Sequence, residues 1–548
     1  MKGADVVAEI LKREGVKTLP CYPRNGVIEA AAAAGIRPIV TRQERVAVHI
    51  ADAFSRLSSG RDIGVFAMQQ GPGTENAYGG IAQAWAESVP MVVIPAGFNK
   101  NVRDIPPNYN PIRSMRDISK WAESAYTAAD IPAAMRRAFT QARNGRPRPC
   151  IVEIPNDTMA EDFPGTLEYT PVLSTRSAPD PVDVPKVAEA LVNAKRLVLY
   201  AGQGVHYAKA WAQLKELAEL LAAPVTTTYA GKSSFPENHP LALGSGGASY
   251  SKQSYQFLQN ADLIFGVGVS FSATPFGHQM PKGKRYIHAT WDAQEINKNV
   301  PTELALVGDI GLCLDQLLVE VRGRLKGKAR DQGAVVKEIN TLREEYMAEW
   351  SPMLTSNEKP LSPYRVIAEL QKATDPKNTI LTHDSGSPRN QIVPFWVSTE
   401  PLSYIGWGKS TQLGYGFGLI MGAKLAHPEK TCINFWGDAA MGHTGMDFET
   451  CVRENIPTLT ILVNNFSMAA ELNVMKTSTE KFKSTDISGN YSEFAKAMGG
   501  HGERITEPGE IAAALKRGIA KTKDGVPTIL EFITKKETRS PTYGRAGH

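Results

Sequence analysis

GDAAMGHTGMDFETCVRENIPTLTILVNN, residues 437–465, decides how the chain is read. The apolar run INFW just before it (433–436) reads as a strand that ends in a Gly-Asp turn. A helix-like stretch follows, and the run TLTILV (458–463) reads as a second strand ending on an Asn pair. One such unit puts Asp438 and Asn465 at the C-terminal edges of two neighbouring parallel strands, where open α/β sheets bind ligands. The two residues are 27 positions apart, a span that a helical crossover bridges. A carboxylate, an amide oxygen and a loop carbonyl, that of Ser467, would form half of an octahedral shell for Mg2+. The remaining positions would be left to water and substrate phosphates. An ordinary βαβ unit with a tight Gly-Asp turn would share this pattern.

A second constellation lies near the N-terminus. In PIVTRQERVAVHIADAFSRLSSG (38–60), Glu44 follows a β-like run and opens a helix with Val46, Ile50, Ala53, Phe54 and Leu57 at helical spacing. Residues 62–97, DIGVFAMQQGPGTENAYGGIAQAWAESVPMVVIPAG, read as strand, Gly-Pro-Gly turn, helix and buried strand, with Asn76 in the helix. A helix N-terminal carboxylate favoured by the dipole would explain Glu44 equally well if it stood alone.

Together the two blocks resemble the thiamine diphosphate enzymes, the acetolactate synthase and 2-oxoacid decarboxylase superfamily. These carry a metal-diphosphate motif like 437–465, a glutamate where Glu44 stands and a Gly-Pro-Gly turn like 71–73. One departure is Ala439, where the motif usually has glycine. The resemblance implies three doubly wound parallel α/β domains, with thiamine diphosphate and Mg2+ as cofactors. It implies Asp438, Asn465 and Ser467 as metal ligands. It also implies cofactor contacts from Gly71, Gly73, Asn76, Ser385, Leu413, Gly437, Ala439, Ala440 and Met468. Glu44 would bond the aminopyrimidine N1′, and a carboxyl desolvated by burial has the raised pKa that sharing a proton requires. In WGKSTQLGYGFGLIMGAKLAHPEK (407–430), Leu413 would be the wedge that bends the cofactor. Glycines 414, 416, 418 and 422 would permit close packing, whether beneath the cofactor or against another backbone. Glu471 matches by position a catalytic glutamate of pyruvate decarboxylases, and partial burial would tune it for proton transfer. A solvated helix carboxylate is the alternative.

Local details point to a branch. TGMDFET (444–450) and Gly418 are similar to the oxalyl-CoA decarboxylase and 2-hydroxyacyl-CoA lyase branch. GVSFSATPFG (268–277) lacks the arginine-containing run that acetolactate synthases use for flavin, and YNPIRSMRD (109–117) lacks their Phe-Gln pair. FAD is therefore not expected, and the middle domain would hold the ADP half of CoA or nothing. The resulting expectation is a carbon-carbon lyase that cleaves 2-hydroxyacyl-CoA to an aldehyde or ketone plus formyl-CoA, reversibly. The alternatives are an acetolactate synthase-like or decarboxylating enzyme of free 2-oxoacids, and a non-catalytic cofactor-binding relative.

The rest of the chain fits a large globular protein. Its 548 residues divide into an N-terminal pyrimidine-binding domain (1–165), a middle domain (183–325) and a diphosphate- and Mg-binding domain (360–534). Residues 535–548, KKETRSPTYGRAGH, read as a flexible cationic tail, either a lid over an acyl-CoA substrate or a frayed terminus with no role. A net charge of +5 without a concentrated basic face gives no case for nucleic acid. No apolar run reaches the ~20 residues needed to span a bilayer. The amphipathic start MKGADVVAEILKREGVKTL is no secretion signal. Five dispersed cysteines (21, 150, 313, 432, 451) point to reduced thiols and a cytoplasmic location. By the resemblance, the active unit is a homodimer or homotetramer.

Overall fold

The structure is a computed structural model, and it describes residues 1–274, 277 and 279–543. Alternation of buried apolar strands with helices produces three six-stranded sheets, each wholly parallel. The first contains β1 (Thr18–Cys21), β2 (Arg37–Val40), β3 (Gly64–Met68), β4 (Met91–Gly97), β5 (Trp121–Ser124) and β6 (Pro149–Pro155). The second contains β7 (Leu197–Ala201), β8 (Val225–Thr228), β9 (Ala242–Gly246), β10 (Leu263–Val267), β11 (Arg285–Thr290) and β12 (Leu304–Val307). The third contains β13 (Thr379–His383), β14 (Tyr404–Ile405), β15 (Thr431–Gly437), β16 (Leu459–Asn464), β17 (His501–Ile505) and β18 (Thr528–Ile533).

Strand order carries more than strand count. The first sheet runs β2-β1-β3-β4-β6-β5 and the third β14-β13-β15-β16-β18-β17, the same order shifted along the chain. The middle sheet runs β12-β11-β10-β7-β8-β9, which is the 3-2-1-4-5-6 order of dinucleotide-binding folds. Three doubly wound α/β sheets are thus present, as the sequence leads one to expect. Strands β9, with two glycines, and β12, which is half-buried, form the two edges of the middle sheet.

By packing, the chain forms two compact units whose limits differ from those of the sheets. One comprises Met1–Thr175, Gly414–Pro428 and Thr444–Ile456; the other comprises Arg176–Leu413, Glu429–His443 and Pro457–His548. In the first unit, helix Tyr415–Ala426 lies against helix Glu44–Leu57. Glycine makes this possible: a Cβ on Gly418 would stand 2.4 Å from His49 Cβ and 2.9 Å from the Val46 carbonyl oxygen. On Gly422 it would stand 2.6 Å from Ala53 Cβ. The glycine ladder is therefore a helix-packing face. Buried Asp52 completes the contact, paired with Arg56 at 2.6 Å and accepting from the Tyr415 hydroxyl. We expect Gly418→Val to destabilise this unit by about 3 kcal/mol, the upper range for overpacking. Urea unfolding checks this, and an unchanged midpoint would contradict the close approach.

In the second unit, Lys232 is fully buried, with Nζ 2.6 and 2.7 Å from the two oxygens of Glu237. It also donates to the carbonyls of Val393 and Trp396. Residues 535–543, expected as a free tail, are laid along this unit. Tyr364 Oη donates to the Arg539 carbonyl at 2.6 Å, and Tyr250 N donates to Pro541 O at 2.9 Å. Arg539 sits over the Trp350 ring, and Tyr543 stacks on Tyr255 and donates to Glu349. Residues 544–548, including Arg545, lie outside the described residues. The five cysteines are buried and none is in a disulfide. Among the described residues no helix is long and apolar enough to cross a membrane.

Candidate active site

Glu44 is the first residue of helix Glu44–Leu57, directly after β2 and an extended Gln43. It is 1% exposed. The turn after β3 explains the room around it. Gly71 takes φ +62°, which L side chains avoid, and Pro72 opens helix Pro72–Ala86 as a first-turn proline can. A Cβ on Gly73 would stand 2.9 Å from Gln69 Cγ and 3.4 Å from Glu44 Oε1, so glycine leaves space for the carboxyl. Asn76, on the same helix, stands close enough to Glu44 to favour its charged form. Burial raises the Glu44 pKa, and its own backbone N–H and Asn76 offset this only in part. Glu44, Gly71, Gly73 and Asn76 are therefore gathered at one C-terminal sheet edge.

Two residues at this edge have no motif to announce them. Asn25, in the loop after β1, donates to Met68 O and Ile94 O, both at 2.9 Å, and so ties β1 to β3 and β4. Tyr109 Oη donates to the Gly71 carbonyl at 2.9 Å and fixes the Gly-Pro-Gly turn. It begins the run 109–117, which lacks the Phe-Gln pair of acetolactate synthases.

The second group sits at the C-terminal edge of the third sheet. Asp438 follows β15 and Asn465 follows β16; the two strands are parallel neighbours, with Gly437 opposite Val463. Asp438 is 3% exposed; Oδ1 accepts from Ala439 N at 2.8 Å and Oδ2 from Ser467 N at 3.2 Å. Asn465 Oδ1 accepts from the same Ser467 N–H at 2.9 Å, so the carboxylate and the amide oxygen converge. Behind them, Asn464 donates to buried Glu531 and accepts from Phe466 N, which shapes the loop. Ser385 stands after β13, on the other side of β15. Gly437 lets Pro388 approach, since a Cβ there would lie 3.1 Å from Pro388 Cγ. Ala440 is buried beside Asp438, while Met468 is exposed. Leu413 is half-buried and directly precedes Gly414, the left-handed residue that opens helix Tyr415–Ala426.

Desolvation raises the Asp438 pKa, opposed only by backbone N–H donors. Among the described residues it has no ion-pair partner, and no cluster of three His, Cys, Asp or Glu side chains forms a metal site. The donor set is instead one carboxylate, one amide oxygen and a loop, with Ser467 Oγ buried and without a partner. An all-oxygen set of low charge suits Mg2+, which keeps water and substrate oxygens in its shell. Glu471 ends the short turn Ala469–Glu471 and is exposed, so the expected burial is not found in this chain.

The N-terminal TPP binding domain of thiamine pyrophosphate enzymes matches residues 1–107, the central domain matches 184–317, and the C-terminal TPP binding domain matches 384–532. The chain belongs to the thiamine diphosphate enzyme superfamily. Within that superfamily it is 28% identical to a probable acetolactate synthase large subunit of Methanocaldococcus jannaschii, over 97% of this chain and 92% of the relative. It is also 28% identical to the acetolactate synthase large subunit of Haemophilus influenzae, over 95% of this chain and 92% of the relative. The crystal structure of benzoylformate decarboxylase from Polynucleobacter necessarius superposes with a TM-score of 0.82 at 20% identity. It covers 98% of this chain and 99% of its own, and shows the same fold.

The middle sheet of this thiamine diphosphate enzyme superfamily member has its switch point between β7 and β10. There Gly202 and Gly204 face Gly268 so closely that a Cβ on Gly202 would lie 2.5 Å from the Gly268 carbonyl oxygen. These glycines serve backbone-to-backbone packing. Pro275 and Phe276, in the run read against flavin, lie outside the described residues.

Proposed function

We propose that this chain, a thiamine diphosphate enzyme, uses Mg2+ to cleave or form the carbon-carbon bond beside the carbonyl of a free 2-oxoacid. One observation carries the reading. A buried carboxyl of raised pKa (Glu44) and a buried carboxylate-amide pair (Asp438 with Asn465) stand at C-terminal edges of two sheets with the same strand order. When bound, thiamine diphosphate supplies the carbon nucleophile and the electron sink. Asp438, Asn465 and the Ser467 segment would hold the cation that neutralises its diphosphate. Glu44, kept from water, would hold a proton at a ring nitrogen of the pyrimidine, and Asn76 and Gly73 would orient it. Ser385, Gly437, Ala439, Ala440 and Met468 would line the diphosphate, Gly71 the pyrimidine, and Leu413 would set the bend between rings. We place the site in a homo-oligomer, in which exposed Val474 (71%) and Phe482 (77%), beyond the metal segment, become covered.

The 2-hydroxyacyl-CoA lyase reading keeps the same bond chemistry but asks the tail to meet CoA phosphates. The described tail cations are engaged elsewhere: Lys535 with Glu358 at 2.8 Å, Lys536 with Asp486 at 3.0 Å, and Arg539 with Glu349 at 3.0 Å. That observation, with acetolactate synthases among the relatives, favours the free 2-oxoacid. Glu471 is proposed as a proton donor or acceptor only once a partner surface buries it.

The test is one sample, with thiamine diphosphate and Mg2+ added, assayed for CO2 and acetolactate from pyruvate, benzaldehyde from benzoylformate, and formyl-CoA from a 2-hydroxyacyl-CoA. The reading requires product from a 2-oxoacid. Formyl-CoA without decarboxylation would replace it with the lyase, and no turnover on any of them would leave a binding relative. Truncation after Thr534 is expected to lower Tm by a few degrees, because it removes the Tyr543 and Arg539 contacts. It should leave KM for the 2-oxoacid unchanged. Selective loss of activity towards acyl-CoA would restore the lid.

A further inference from the structure

We propose that Asp447 is a positioning residue for Glu44, holding the turn that presents it through the Arg42 backbone N–H. The proposal rests on the reading of Glu44 given above. Arg42 N donates to Asp447 Oδ1 at 2.7 Å, two residues before Glu44. The two positions are 405 residues apart in sequence yet lie in the same compact unit. Asp447 closes the short turn Gly445–Asp447 and is 0% exposed.

Its surroundings show a designed hold. Thr450 Oγ1 donates to the same Oδ1 at 2.9 Å, so the acceptor is oriented from its own helix, Phe448–Arg453. Thr444, where the segment begins, is tied to the Gly414 carbonyl at 2.9 Å. Further along, Arg453 Nη2 donates to Val40 O at 2.6 Å, and Arg37 donates to Glu454. The strand-to-helix turn is thus gripped at Arg37, Val40 and Arg42. Only the last grip is made by a wholly buried side chain, and it is the nearest to Glu44.

Asp447 Oδ2 is buried and meets no donor. The charged groups around the carboxyl are Arg42 on the turn and Glu449 on its own helix, themselves 4.0 Å apart. Arg453 is bound to Glu449 and Glu454. Burial, aided by Glu449, pushes the Asp447 carboxyl up to about 7, against the bonds from Arg42 N and Thr450. The native state therefore binds a proton that the unfolded chain, near 3.9, has released. Stability from this group is present below about pH 4 and is lost as pH rises through 7. A group kept at such a site, when asparagine could also accept the Arg42 bond, makes a discriminating pair of variants available.

The experiment compares Asp447→Ala, Asp447→Asn and Glu44→Gln with the parent chain. In the cofactor-free protein, hydrogen exchange of a peptide spanning residues 40–46 should quicken by about tenfold or more in Asp447→Ala and stay near parent in Asp447→Asn, which keeps an acceptor. With cofactor, kcat should fall by about tenfold or more in the alanine variant, at unchanged KM, and recover in the asparagine variant. Tm of the asparagine variant should lose the parent's decline between about pH 4 and pH 7. Unchanged exchange and unchanged kcat in Asp447→Ala would overturn the proposal. A drop in Tm with kcat intact would also overturn it, leaving Asp447 a structural residue. Should Glu44→Gln itself retain full kcat, the reading of Glu44 fails, while the exchange result still decides whether Asp447 holds the turn.

Discussion

Glu44→Gln is expected to leave a folded chain that binds thiamine diphosphate and turns over about 10²-fold more slowly or worse. Glutamine fills the space beside Gly73, so packing and the helix start are retained. What it cannot do is hold an exchangeable proton against the cofactor ring. The same change should raise stability at alkaline pH. Burial raises the Glu44 pKa, so the native state binds its proton more tightly than the unfolded chain does. Its contribution is then present at low pH and lost as pH rises through the raised value, whereas glutamine has no such loss. A variant more stable at pH 8 yet nearly inactive is the signature of a residue kept for chemistry. Turnover near that of the parent would remove Glu44 from the mechanism.

The second large effect belongs to Asp438. Asp438→Ala removes the charged member of the oxygen set, and leaving the cation and diphosphate without it should cost about 3–5 kcal/mol, on the order of 10²-fold or more in cofactor affinity. Thermal shift reads this directly. In the parent, saturating cofactor and Mg2+ stabilise by about 2.7 kcal/mol at 100 times Kd, and at the same concentration the variant should gain about 0.4 kcal/mol or less. Circular dichroism should show the fold retained, since β15 and β16 remain paired through Gly437 and Val463. An undiminished shift would make Asp438 only a turn residue.

What the sequence discloses and what it hides follow from distance along the chain. Asp438, Asn465 and Ser467 fall within one local unit, so a short pattern of apolar runs and turn residues is enough to bring them together. Glu44 and Gly71–Asn76 likewise follow successive strands of the chain, β2 and β3, with only β1 between them in the sheet. Asp447 is different: its residue type is visible in TGMDFET, but its partner, the Arg42 N–H, is a backbone group far away that no side-chain pattern marks. The tail misleads for a related reason. Lys535, Lys536 and Arg539 read as free charge because Glu358, Asp486 and Glu349 come from separate segments. The glycines of 414–422 could serve a ligand or a helix, and only His49, Val46 and Ala53 standing opposite them decide for the helix. Strand order, finally, has no local signal. The match between first and third sheets, and the dinucleotide-type order of the middle one, emerge only from the pairing.

The central claim is that Glu44 and the Asp438 group act on one bound thiamine diphosphate. Exchange of the cofactor's C2 proton into D2O, measured by NMR in quenched samples with Mg2+ present, tests it most directly. The account predicts that the parent chain accelerates exchange well beyond that of free cofactor, and that Glu44→Gln, still saturated with cofactor, falls back towards the free rate. Exchange in the parent no faster than in solution would contradict it.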